Sequence, residues 1–109
     1  MVEFYLYGLY NTHMKAHLRY YLKNKIRDRF ILELSIHEVG KSKSYPDGIK
    51  YGLICVDLKS KRKVLMDNHH PKGPHIHINE LELDYEYVND ETLIEDFKKI
   101  VLKELGVKL

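Results

Sequence analysis

Residues 30–39, FILELSIHEV, alternate: Leu32, Leu34 and Ile36 fall on one side, Glu33, Ser35 and His37 on the other. A side-chain period of two predicts a strand with one buried face, and leaves His37 on the solvent side. IKYGLICVDL (49–58) is apolar enough to predict a central strand. Between them KSKSYPDG is a turn, marked most strongly by Pro46-Asp47-Gly48. Lys59-Ser60-Lys61 makes a second tight turn into RKVLMDN (62–68), a third strand. Connections this short make the three antiparallel. LELDYEYV (81–88) alternates again, with Leu81, Leu83, Tyr85 and Tyr87 on one face.

The two ends of the chain carry a different rhythm. Thr12 reads as an N-cap, and Met14, Leu18, Tyr21, Leu22 and Ile26 then recur at helical spacing. Lys15, Arg19, Lys23 and Arg27, four apart, form a basic stripe on the opposite side of that expected helix. Before it, VEFYLYGLY fits either a short strand or the start of the helix. At the other end, Asn89 or Asp90 caps a closing helix with Leu93, Phe97, Ile100, Val101 and Leu105 as its apolar stripe, ended by Gly106. The expected architecture is therefore α+β, one domain over residues 1–109. It is an antiparallel sheet of about four to five strands, with an N-terminal and a C-terminal helix packed on one face.

Composition adds limits. With 109 residues, 44% apolar and 31% charged, the chain is expected to be one globular domain with its own core. Cys55 has no second cysteine to pair with, and its place in YGLICVDL predicts a buried small hydrophobe in a reducing compartment. Neither a leader segment nor an apolar run near the ~18 residues of a membrane span is visible, so the expected location is the cytoplasm, away from membranes. The absence of Gln and Trp beside abundant Lys, Glu, Ile and Tyr leans toward a thermophile. A net charge of +2 hides an asymmetry: residues 1–66 hold 13 Lys/Arg against 6 Asp/Glu (+7), residues 67–109 hold 5 against 10 (−5). Such a division fits a basic surface for a polyanion and a separate acidic one.

DNHHPKGPHIH (67–77) packs four of the seven histidines into one segment. Three chemistries fit. In the first, His75 and His77, two apart on an extended segment, face one way, with His69 or His70 as a third nitrogen and Asp67 as an oxygen for a zinc-like metal. No cysteine assists and no His-x-x-Glu-His spacing occurs, so no metal ligand or cofactor is assigned. The segment also resembles the Asp-His start of HNH nucleases, but the closing helix has no His or Asn to complete such a site. In the second, imidazoles move protons on RNA, histidine's reference pKa of about 6.5 suiting both base and acid roles. His70 and His75 are then the pair, with His69 and His77 as alternates and Asp67 orienting an imidazole. Lys72, Arg62, Lys63 and Asn68 contact the substrate, and the stripe Lys15, Arg19, Lys23 and Arg27 holds its backbone. In the third, the segment is a polar turn, in which Asp67 and Asn68 bond to their own backbone.

PDGIKYGL, MDNHHPKGPHIH and YEYVNDETLIEDFKKIV together resemble the TumE-like toxin family of archaeal and bacterial toxin–antitoxin modules. The family's pattern falls on Asp67, Asn68, His69, His70, His75, His77, Tyr85, Leu93, Asp96 and Phe97. The resemblance covers about residues 30–103, and residues 1–29 carry no matching motif. It implies a growth-inhibiting toxin neutralised by a cognate antitoxin, often one with a DNA-binding domain. The chemistry is not carried over. The resulting expectation is a ribonuclease-type toxin that acts on RNA through residues 67–77. The alternative is a non-catalytic module that binds nucleic acid or protein, its histidine loop structural or metal-binding. An exposed aromatic segment such as VEFYLYGLY needs a covering chain, either the antitoxin or a second copy in a homodimer.

Overall fold

The computed structural model describes residues 16–109. Alternation becomes a six-stranded antiparallel meander: β1 (His17–Ile26), β2 (Phe30–Glu38), β3 (Ile49–Asp57), β4 (Lys63–Asp67), β5 (His75–Ile78) and β6 (Leu81–Asp84), paired in chain order. One helix, α1 (Asp90–Leu105), follows. Among the described residues no helix is long and apolar enough to cross a membrane.

One face of the sheet carries the core. Phe30, Leu32, Leu34 and Ile36 of β2 lie beside Tyr51, Leu53 and Cys55 of β3, and these beside Val64 and Met66 of β4. Leu93, Phe97 and Val101, four apart on α1, close over them and are fully buried. A stripe at that spacing keeps to one side of a helix, and each side chain it buries contributes about 1.5–3 kcal/mol. The Asn89 side chain accepts from the Thr92 N–H at the start of the helix. At the end, Gly106 takes the left-handed conformation (φ 73°) and donates its N–H to Leu102 O. Cys55 is buried, as its apolar neighbours implied.

Among the described residues, the stretch expected to be the N-terminal helix is not helical. His17–Ile26 is instead an edge strand, returned to β2 by a turn with Arg27 and Asp28 both at positive φ (55° and 53°) and Arg29 N–H donated to Ile26 O. The basic stripe was ambiguous because a spacing of four is a multiple of two and satisfies a strand as well as a helix. Tertiary pairing with β2 decided it. The segments Val2–Tyr10, Thr12, His13, Met14 and Lys15 lie outside the described residues. The strand count also rises from four or five to six, since β1 and the histidine-bearing β5 both join the sheet. The run at 81–88 is a strand only to Asp84. Beyond it Tyr85 and Tyr87 bond Asp96 and Asp90 through their hydroxyls (2.7 and 2.6 Å), fastening the helix to the sheet.

The opposite set of alternating residues lies on the sheet face away from α1. Register aligns them in rows across the strands. Ser35, Gly52, Asp67, His75 and Asp84 form one row; Glu33, Ile54, Leu65, His77 and Glu82 form the next.

Candidate functional site: an imidazole–carboxylate cluster on the sheet face

The β5–β6 hairpin builds the centre. Ile78 pairs with Leu81 across Asn79-Glu80, Asn79 lying at φ 56°, which sets His77 opposite Glu82 and His75 opposite Asp84. His75 is 5% exposed. Its Nδ1 lies 2.7 Å from the Gly73 carbonyl, which can only accept, so Nδ1 carries the hydrogen. In the neutral ring Nε2 is then the unprotonated nitrogen, 3.3 Å from Asp67 Oδ1. Asp67 also accepts from the His69 N–H (3.2 Å), the turn role open to it from the start. The His75 and His77 rings meet edge to face at 4.7 Å. Glu82 holds the Lys72 ammonium with both oxygens (2.9 and 3.0 Å), and that bond lowers the Glu82 pKa.

A second cation borders the cluster. Lys50 Nζ donates to His69 Nδ1 (3.0 Å) and stands 5.6 Å above the Tyr45 ring. Burial pushes the Lys50 pKa down, and Asp67 partly opposes this. His37, beside Lys50 in the register, is buried, although its polar-face position predicted exposure. Between Ser35 and Asp67 the row is interrupted by Gly52, where an added Cβ would meet nothing within 4 Å. A strand glycine of this kind leaves room for another molecule to approach the backbone.

The structure brings together Asp67, His75 and His77, with His69 one bond away through Asp67 and Lys50. It separates the others. His70 is exposed on the loop, its N–H donated to the Tyr45 hydroxyl (3.3 Å), and lines a shallow cleft of about 260 Å³ with Asp47, Pro71 and Pro74. Asn68 is buried: its side chain accepts from the Tyr51 N–H and donates to Ile49 O, both at 2.9 Å, locking the end of β4 to β3. Arg62 donates to the Glu104 carbonyl (2.7 Å) and pairs with its carboxylate (3.3 Å) at the C-terminal end of α1. Lys63 sits at the far end of β4, its N–H donated to the Asn79 side chain. Of the expected stripe, Arg19 pairs with Asp90 (3.0 Å), Lys23 stands opposite Glu33, and Arg27 is in the turn.

Glu82, Lys50 and Gly52 were not singled out from sequence. Glu82 had a usable signal: HIHI and LELD are two alternating runs separated by Asn79-Glu80, the pattern of a two-residue hairpin. Lys50 and Gly52 had none, because their place depends on the pairing of β3 with β2 and β4.

Fold and site together define a small α+β meander that carries an imidazole–carboxylate cluster on the sheet face away from α1. Compared with known proteins, the chain matches no family model, no curated protein and no solved structure.

Proposed function

We propose that the protein is a toxin of the TumE-like kind, held in check by a cognate antitoxin, and that it cleaves RNA at the cluster on the sheet face opposite α1. The observation that carries this reading is the side-by-side placement of Asp67, His75 and His77, within a margin that includes Lys50 and Lys72. The proton pair becomes His75 and His77 in place of His70 and His75, since His70 points into a separate cleft.

His75 Nε2 takes the proton from a ribose 2′-hydroxyl, and the 2′-oxygen attacks the adjacent phosphorus. Asp67 favours the imidazolium so formed. The P–O5′ bond breaks, and His77, entering as the imidazolium, gives its proton to the departing oxygen. The products are a 2′,3′-cyclic phosphate and a 5′-hydroxyl. Lys72, released from Glu82, and Lys50 balance the phosphorane charge. The open space at Gly52 receives the sugar.

Purified protein incubated with RNA in EDTA should yield fragments ending in 2′,3′-cyclic phosphate. His75→Ala should abolish cleavage and relieve growth inhibition with the fold intact, whereas His70→Ala should retain both. A folded His75→Ala protein that remains fully toxic would remove His75 from the mechanism. Salt-sensitive retention of RNA without cleavage would replace the enzyme by a binding module.

A further inference from the structure

We propose that His75, His77 and Glu82 form a binding site for a divalent transition metal of the zinc class. The site goes beyond the RNA reading and does not rest on it. One nitrogen from each imidazole and one Glu82 oxygen lie within 4.8 Å of one another. Ligands about 2.1 Å from a tetrahedral ion stand roughly 3.4 Å apart, so the set closes by about 1 Å of side-chain rotation. The scaffold favours that closure. All three residues belong to one hairpin, with His77 directly opposite Glu82 and His75 two positions along the same strand.

Three further features point to a cation here. His75 donates Nδ1–H to the Gly73 carbonyl, the outer-shell bond that fixes a ligating imidazole with Nε2 available. That Nε2 faces Asp67 Oδ1 at 3.3 Å, so two acceptors confront each other unless a positive charge stands with them. Glu82 already binds a cation, the Lys72 ammonium, whose side chain is 59% exposed and can swing aside. Two nitrogens and one carboxylate suit zinc or cobalt better than magnesium or calcium, which prefer all-oxygen shells. The fourth position is open to water or to Asp67. A metal so bound occupies both imidazoles, so it opposes proton transfer by His75 and His77.

The test uses the full chain without a histidine tag, titrated with cobalt(II) and followed by its visible absorption, then back-titrated with zinc. One ion per chain is expected. Glu82→Gln and His77→Ala should each weaken binding by more than about a hundredfold, beyond the loss an outer-shell partner gives. Both residues lie outside the buried core, and far-UV circular dichroism verifies their fold. Lys72→Ala should tighten binding by removing the competing ammonium, while His70→Ala should leave it unchanged. Absence of uptake by the unmodified chain overturns the site. So does uptake that survives Glu82→Gln and His77→Ala together, or that depends on His70. Cleavage of RNA in EDTA is read separately: its absence leaves the metal site standing, and where both hold, zinc inhibits.

Discussion

Asn68 stands inside the histidine-rich segment, yet both ends of its amide are occupied by the backbone of β3. Asn68→Ala would leave the Tyr51 N–H and the Ile49 carbonyl buried without partners, and urea denaturation should show a loss of about 1–3 kcal/mol. Tyr51 is the reverse case. Its hydroxyl is buried with no hydrogen-bond partner among the described residues, and burial pushes its pKa up. Tyr51→Phe removes that unsatisfied group and should raise stability by roughly 1 kcal/mol in the same assay. Asp57 is held by two Arg29 bonds of 2.9 Å, with Ser60 and the Lys59 N–H also donating to it. The guanidinium holds this carboxyl well below the usual carboxylate range. A depressed folded pKa means that the stabilisation is complete above the unfolded value of about 3.9 and is lost as pH falls through the folded one. Urea midpoints measured from pH 6 down to pH 2 should therefore fall at the acid end, and the portion due to Asp57 should vanish in Asp57→Asn.

At the scale of elements, β1 and β5 show where periodicity in sequence was informative and where it was not. In β2, Phe30, Leu32, Leu34 and Ile36 sit at every second position, and all four reached the core. In β1, nearly every residue is exposed: it is an edge strand that meets α1 through an ion pair, Arg19 with Asp90, and little burial selects its pattern. Spacings of four then fit either element. The turn that defines β1 offers a direct check. Arg27 and Asp28 both occupy positive φ, where Asn-Gly is favoured and a larger side chain is strained. Arg27→Asn with Asp28→Gly should raise the melting temperature, by roughly 1 kcal/mol of stability; in a helix the same glycine would cost about as much. In β5, HIHI is only four residues long and follows two prolines, so it reads as loop until β4 and β6 pair with it.

Over the whole molecule, the basic first part and the acidic last part are stitched together. Arg19 reaches Asp90 and Arg62 reaches Glu104, so part of the asymmetry is neutralised within the fold. The cations left at the margin of the cluster are Lys50 and Lys72, in place of a four-residue stripe. For a single strand, two phosphate contacts give a slope of log affinity against log salt of about −1.4, where four would give about −2.8. RNA binding by a His75→Ala protein, measured across a salt series, should follow the shallower line. The central strands, the capped closing helix and the buried cysteine were legible from residue order alone. Each of these is set by a local period or a local cap, and burial on one face enforces it. Residue order also put His75 and His77 on one face, which follows from their spacing of two once the segment is extended. Which residues join them depends on how the strands pair. Asp67 and Glu82 reach the imidazoles through the register of β4 and β6, His70 is turned away, and Asn68 is drawn inside. Pairing between strands sets those distances, and no spacing along a single strand encodes them.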